Sequence, residues 1–213
     1  MLPGLRRAYG ELKLYLREDL TERLLARLRA GRLDVALIAL PFDTGDLYVR
    51  ELFKDEFAFV AREADPAVRE KNVALRSLDT GDMLLLEEGH CLRNHAIAAC
   101  GPRRGRWEPR VEATSLNTLI QMVEGGLGVT LLPGIALEAG ILKGTRLIAR
   151  PFSPPAPSRT LALVARRTSA RRRDADFLAE FLIEHRRRSG RAGELPFRGR
   201  PRYDFTSLGG RLK

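Results

Sequence analysis

Residues 12–40 read LKLYLREDLTERLLARLRAGRLDVALIAL, and their hydrophobic period changes twice. Over 12–17, leucine alternates with Lys, Tyr and Arg, which predicts a half-buried strand. Asp19 then stands where a helix N-cap is expected, the leucines that follow share one helical face, and Gly31 ends the pattern. The apolar run 35–40 predicts a strand covered on both faces. Strand, helix and strand in this order indicate an α/β fold.

The rest of the chain continues this alternation. Further strands are predicted at 47–53, 56–61, 83–86, 111–113, 129–132, 147–150 and 160–165. Helices are predicted at 3–9, 90–100, 116–124, 135–139 and 174–185, the third of them with Ser115 as its N-cap. The glycine-rich stretch 125–128 follows a helix and precedes a strand, which is the reverse of the order in a dinucleotide-binding motif. The α/β class therefore extends over the whole body of the chain.

The 213-residue chain has a formal net charge of +10, most of which lies at the C-terminus. From Arg186 onward there are nine Lys or Arg residues against two acidic residues, a local charge of 9 − 2 = +7. Gly, Arg and Pro dominate from residue 188, so we expect 188–213 to be a disordered, solvated tail rather than a nucleic-acid-binding element. We find no apolar run of membrane-spanning length and no signal-peptide pattern, and therefore expect a cytoplasmic protein.

The two cysteines carry the strongest chemical signal. In Gly89-His90-Cys91-Leu92-Arg93, the thiol stands at the expected start of a helix, where free backbone N–H groups and positive side chains favour a thiolate. Cys100 follows nine residues later, about 13 Å away along an intact helix, whereas a disulfide needs Cα atoms within about 7 Å. Oxidation can join the two only if the helix unwinds. The alternative is that both cysteines are small core residues.

The cysteine motif is accompanied by YLRE at 15–18, LRAGRLD at 28–34, ATSL at 113–116 and GVTLLP at 128–133. Together, over residues 2–187, these stretches resemble the effector domain of LysR-type transcriptional regulators, most closely that of the peroxide-sensing OxyR group.

The resemblance implies an α/β fold of two Rossmann-like subdomains of the periplasmic-binding-protein type II. One subdomain would comprise 1–53 with 160–187, and the other, which carries the cysteines, 54–159. Three parts do not match the family's pattern. The family's winged helix-turn-helix and its first effector-domain strand have no counterpart in this chain, and the tail 188–213 has none in the family.

The resemblance also implies roles for five residues. Cys91 is similar to the peroxidatic cysteine, which peroxide oxidises to a sulfenic acid, and Cys100 to the resolving cysteine that closes the disulfide. Thr21, His90 and Arg159 match residues that surround the bound peroxide. Each of these three has an alternative: Thr21 in the first turn of a helix, Arg159 as a solvated charge at a strand edge, and His90 bonded only to the backbone.

The implied partners are hydrogen peroxide as effector, further copies of the chain in a homodimer or tetramer, and glutaredoxin or thioredoxin as reductant. DNA would be bound only through the winged helix-turn-helix that this chain does not contain. No metal site, cofactor, membrane association or enzymatic turnover is expected. Two rival interpretations stay open, an effector domain that binds a small organic ligand with incidental cysteines, and a thiol peroxidase.

Overall fold

The computed structural model describes residues 2–8, 12–78, 81–88, 90–100 and 112–189. Its helices are α1 (Leu2–Ala8), α2 (Thr21–Arg29), α3 (Cys91–Cys100), α4 (Leu116–Glu124), α5 (Gly134–Glu138) and α6 (Arg172–Ser189). Its strands are β1 (Val35–Leu40), β2 (Tyr48–Arg62), β3 (Leu85–Leu86), β4 (Glu112–Ala113), β5 (Thr130–Pro133), β6 (Leu147–Pro151) and β7 (Ser158–Ala165). Within these ranges, no helix has the length and apolar character needed to cross a membrane.

Strand β2 organises the main sheet, whose order is β1-β7-β2-β5, with β6 also paired to β2. All these pairs are antiparallel. The first part of β2, 48–56, pairs with β7, and the second part, 57–62, pairs with β5 and β6. Two separate strands were predicted here. They are one, because the polar residues between them stay in register with β7, Lys54 opposite Thr160 and Asp55 opposite Arg159.

Two groups of buried apolar side chains stabilise the two ends of β2. One lies between α2, β1 and β7, and its members are Leu25, Leu28, Ala36, Ile38, Leu47 and Val164. The larger one includes the second part of β2, the β3–β4 pair, α3 and α4. The division into 1–53 with 160–187 and 54–159 stays a prediction.

The segment before α2 differs from expectation. Residues 12–20 form no strand, and Tyr15 and Leu16 are 84% and 70% exposed. An alternating pattern becomes a strand only beside a neighbour with which its backbone can pair, and no described strand pairs with this segment. The extent of β1 is as predicted, but its Leu37 is 45% exposed, so that strand is not covered on both faces.

Asp19 is not the N-cap of α2. The cap is Leu20, and no side chain caps this end of the helix. The Asp19 carboxylate instead accepts from the Leu20 N–H at 3.0 Å and pairs with Arg17, Arg23 and Arg27. Three cations within reach draw the carboxylate away from the geometry of a cap.

The start of α4 and the ends of α6 can also be compared with the predictions. Ser115 is the N-cap of α4, as predicted, and accepts from the Thr118 N–H at 3.2 Å. Helix α6 begins before the predicted residue 174 and continues to Ser189, so the first two residues of the expected disordered tail are helical. Residues 190–213 lie outside the described part.

Gly128 is held against the backbone of a neighbouring segment. A Cβ at this position would lie 2.2 Å from the carbonyl oxygen of Asp82, which also accepts from the Val129 N–H at 2.9 Å. Because that carbonyl cannot move without losing its bond, we expect Gly128→Ala to lower the free energy of unfolding by about 2 kcal/mol in urea denaturation. Gly125→Ala is the matched control, since the φ of −68° at Gly125 suits any residue. Equal stability of the two variants would contradict this.

Candidate functional site

Helix α3 carries a cysteine at each end. It spans Cys91–Cys100, close to the predicted range. Ten residues in α-helical geometry separate the terminal Cα atoms by about 13 Å. The side chains of both cysteines lie outside the described part of the structure, so the site is built from the residues around them. The backbone alone establishes that a disulfide between residues 91 and 100 is incompatible with the intact helix.

Arg93 attaches the first turn of α3 to the β3–β4 pair. Its side chain is 9% exposed, donates to the carbonyl oxygen of Leu86 at 3.1 Å, and forms an ion pair with Glu112. Sequence analysis considered Arg93 only as a charge near the thiol. Its described contacts instead make it the residue that holds the start of the helix in place.

His90 precedes the helix by one residue and lies beside a carboxylate. Its Nε2 is 3.7 Å from Glu87 Oε1, and its side chain is 30% exposed. The partial exposure and the side-chain partner differ from the alternative in which His90 bonds only to the backbone. The structure therefore places an imidazole with an acidic partner immediately before the position of Cys91.

Arg159 lies on β7 opposite Asp55 of β2, one residue before the part of β7 that pairs with β1. Its Nε donates to Asp55 Oδ2 at 3.1 Å, its side chain is 9% exposed, and its guanidinium lies 5.8 Å from the ring centroid of Phe57. This is not a solvated charge at a strand edge. Asp55 is fully buried, and its other oxygen accepts from the Ile135 N–H at 3.0 Å, in the first turn of α5. The carboxylate thus holds Arg159 and α5 together.

His95 is a buried residue of the cysteine helix that was not among the predicted site residues. It is 6% exposed, and its Nε2 lies 3.4 Å from the carbonyl oxygen of Pro41. Burial is the main cause that lowers the pKa of His95 below 6.5, the hydrogen bond to Pro41 opposes this, and the charge of Arg159 lowers the pKa further. His95 stands four residues after Cys91, on the same face of α3. That spacing was the available signal.

Thr21 is the first residue of α2, and its side chain is 7% exposed. Its position in a first turn agrees with the structural alternative, and its burial is unusual for a threonine at a helix end. The placement of Thr21 against the thiol stays a prediction. Of the five predicted residues, Arg159 lies on β7, the strand on which α3 packs. His90 directly precedes Cys91 in the chain.

A family model described as the LysR substrate binding domain matches residues 1–187. The chain belongs to this family. The match covers the same part of the chain as the sequence resemblance, and it confirms the predicted fold class of two α/β subdomains of the periplasmic-binding-protein type II.

Two curated relatives show the same degree of likeness to this LysR substrate-binding domain. The HTH-type transcriptional regulator EstR of Acinetobacter baylyi is 36% identical over 182 residues, and the hydrogen peroxide-inducible genes activator of Haemophilus influenzae is 36% identical over 167 residues. The matches cover 85% and 78% of this chain, and 60% and 55% of the relatives. The chain thus spans little more than half the length of these relatives, which are named as regulators of transcription and not as enzymes.

The solved structures that resemble this chain include regulatory domains of OxyR proteins. The reduced form of the regulatory domain of OxyR2 from Vibrio vulnificus superposes with a TM-score of 0.78 at 33% identity, and the match covers 86% of each chain. The predicted resemblance to OxyR regulatory domains is confirmed at the level of sequence and fold.

Proposed function

We propose that this domain senses hydrogen peroxide for a transcriptional regulator of oxidative-stress genes, through a reversible disulfide between Cys91 and Cys100. The observation that carries the proposal is the position of the two cysteines at the two ends of one helix in a domain whose structural neighbours are OxyR regulatory domains. Sequence identity alone does not separate peroxide sensing from other effectors, because EstR and the peroxide-inducible activator are equally similar. The cysteine pair favours peroxide.

The reaction proceeds in two balanced steps. The Cys91 thiolate attacks one oxygen of hydrogen peroxide, the O–O bond breaks, and the sulfur becomes a sulfenic acid while hydroxide leaves and is protonated to water. The Cys100 thiol then attacks this sulfur, the S–S bond forms, and a second water leaves. Two thiols are oxidised and one peroxide is reduced. A thiol reductant such as glutaredoxin or thioredoxin restores the pair by exchange.

The surrounding residues would act through charge and hydrogen bonds. The guanidinium of Arg159 is oriented by Asp55 and stabilises negative charge that develops at the thiol and at the departing oxygen. His90, with Glu87 as its partner, would supply a proton to the departing oxygen. Thr21 would hold the peroxide by a hydroxyl hydrogen bond.

The helix geometry supplies the readout. Since residues 91 and 100 cannot be bridged while α3 is intact, closing the disulfide unwinds the segment between them. We propose that this change reshapes a homodimer or tetramer of the complete cytoplasmic regulator, and that DNA is bound by a winged helix-turn-helix attached to this domain. The domain itself needs no turnover, since one oxidation per event is enough.

Trapping the sulfenic acid tests this function. In the Cys100→Ser variant, a brief pulse of micromolar peroxide should leave a dimedone adduct at residue 91, detected by peptide mass spectrometry, because no resolving thiol is present. The Cys91→Ser variant is the matched control and should give no adduct. An adduct in neither variant, with both proteins folded, would contradict the proposal.

The second candidate is an effector domain for a small organic ligand, favoured by the family match over residues 1–187, which is to a substrate binding domain. It predicts that a library of small carboxylates and aromatics contains a ligand which raises the melting temperature of native and Cys91→Ser protein equally. Peroxide would then leave both thiols unreacted. Ligand binding that depends on Cys91, or no binding with peroxide reactivity present, would reject this candidate.

A further inference from the structure

The second turn of α3 contains an imperfect buried group. His95 Nδ1 is buried and has no hydrogen-bond partner, and among the described residues it is the buried side-chain nitrogen or oxygen that lacks one. The neighbouring Nε2 faces the Pro41 carbonyl, which can only accept, so Nε2 carries the hydrogen and Nδ1 presents a lone pair that accepts no hydrogen bond from the described residues. A buried acceptor without a donor destabilises the conformation that buries it.

Protonation would not repair this environment. The charged groups around His95 are the guanidinium of Arg159 on β7 and, behind it, the Asp55 carboxylate on β2, which is already committed to Arg159 and to α5. On the β3–β4 side, the Glu112 carboxylate is bound to Arg93. Strand β3, which packs on α3, consists of two leucines and carries no charge. An imidazolium at residue 95 would therefore meet the positive charge of Arg159 with no free carboxylate among these groups.

The two halves of α3 are thus held unequally. Arg93 ties the first turn to Leu86 and Glu112, whereas His95, half a turn later, is buried without a complete set of partners. Opening of the helix from residue 95 onward would return His95 to water and leave the Arg93 contacts in place.

We propose that His95 makes residues 95–100 the part of α3 that opens, and that opening takes up one proton at this imidazole. The link to disulfide formation rests on the function proposed above. In the closed helix the pKa of His95 is below 6.5, and in the open segment it returns to that value. Between 6.5 and the lower pKa of the closed helix, the open state therefore binds more protons than the closed state, so the closed helix is most stable above pH 6.5 and loses stability as the pH falls through this interval.

The same proton changes the redox balance. Closing the disulfide with oxidised dithiothreitol transfers two electrons to that reagent, reduces it to its dithiol, and releases the two thiol protons to it. Below pH 6.5, the released His95 takes up one additional proton from solvent. The equilibrium between protein and dithiothreitol thus shifts toward the protein disulfide as the pH falls, by at most about tenfold for each pH unit. Without the imidazole, this additional shift is absent.

Hydrogen exchange tests the opening on its own. The reduced full chain is compared at about pH 7.5 and about pH 5.5, and protection factors are calculated for the peptide that contains 95–100, with the intrinsic exchange rate removed. Native protein should lose protection at the lower pH, by at most about tenfold, since an open imidazole one pH unit below 6.5 is protonated ten times as often as it is neutral. His95→Met should show no loss, and His185→Gln, at a histidine of α6, should behave like native protein. His95→Gln, which also cannot titrate, replaces the Met variant if that variant does not fold.

Redox titration against dithiothreitol tests the coupling. The equilibrium constant for forming the protein disulfide should rise, by at most about tenfold, from about pH 7.5 to about pH 5.5 for native and His185→Gln protein, and stay constant for His95→Met. A disulfide that forms with the same pH dependence in native and His95→Met protein overturns the inference and leaves the proposed function standing. Proton-linked opening without any Cys91–Cys100 disulfide overturns the proposed function and supports the opening at His95. Protection that does not depend on pH in native protein overturns the opening.

Discussion

Replacing Arg159 with methionine should slow the oxidation of Cys91 by peroxide about a hundredfold at neutral pH, the typical effect of removing one group that stabilises developing negative charge. The guanidinium is 9% exposed and is held by Asp55, so its charge acts through protein rather than through bulk water. Its reach toward α3 is visible in its effect on His95, which stands one turn after Cys91. The rate is measured by stopped flow, as loss of free thiol in the Cys100→Ser background.

Two variants separate the charge of Arg159 from its structural role. Arg159→Lys keeps the charge without the planar group and should retain most of the rate. In the double variant Asp55→Asn with Arg159→Met, no buried carboxylate is left without a counter-ion, so the fold is restored while the rate stays low. A rate within about threefold of native protein in Arg159→Met would reject electrostatic activation by this residue, because one hydrogen-bonded charge contributes more than that.

Replacing Asp55 with asparagine alone should lower the free energy of unfolding by about 3–5 kcal/mol, the usual effect of removing one partner of a buried ion pair. The asparagine oxygen can still accept from the Ile135 N–H, so the effect isolates the loss of the charge opposite Arg159. Urea denaturation followed by circular dichroism measures the change. Adding Arg159→Met should recover most of the stability, to within about 1 kcal/mol of native protein.

The matched control is Asp19→Asn. Asp19 is also paired with arginines, but two of these, Arg17 and Arg23, are more than half exposed, so solvent screens the pairs and the expected loss is much smaller than for Asp55→Asn. Similar losses in Asp55→Asn and Asp19→Asn would show that burial of the Asp55–Arg159 pair adds nothing to its effect on stability.

The sequence correctly predicted those helices and strands that are determined by neighbouring residues in the chain. Helix α4 with its cap Ser115, strand β1 and the helix between the two cysteines all follow from spacing and capping within a few residues. The fusion of two predicted strands into β2 was missed, since it depends on the register of Asp55 and Lys54 against β7, about a hundred residues away in the chain. The alternation at 12–17 was also misleading, because a strand requires a partner that the pattern itself does not provide.

The candidate site divides in the same way. The cysteines and His90 are recognisable in one short motif, and Arg159 and Thr21 were identified only through family resemblance. The burial of Arg159, its partner Asp55 and the incomplete environment of His95 depend on contacts between β2, β7, α3 and the residue at position 41. No periodicity or motif in the sequence reports these long-range contacts.

The most direct test of disulfide sensing is peptide-level mass spectrometry of the purified, reduced native chain after a brief pulse of micromolar peroxide. We predict a loss of two hydrogens that maps to a linked pair of peptides containing Cys91 and Cys100, reversed by a dithiol reductant. A folded protein that keeps both thiols free after the pulse would contradict peroxide sensing by this pair.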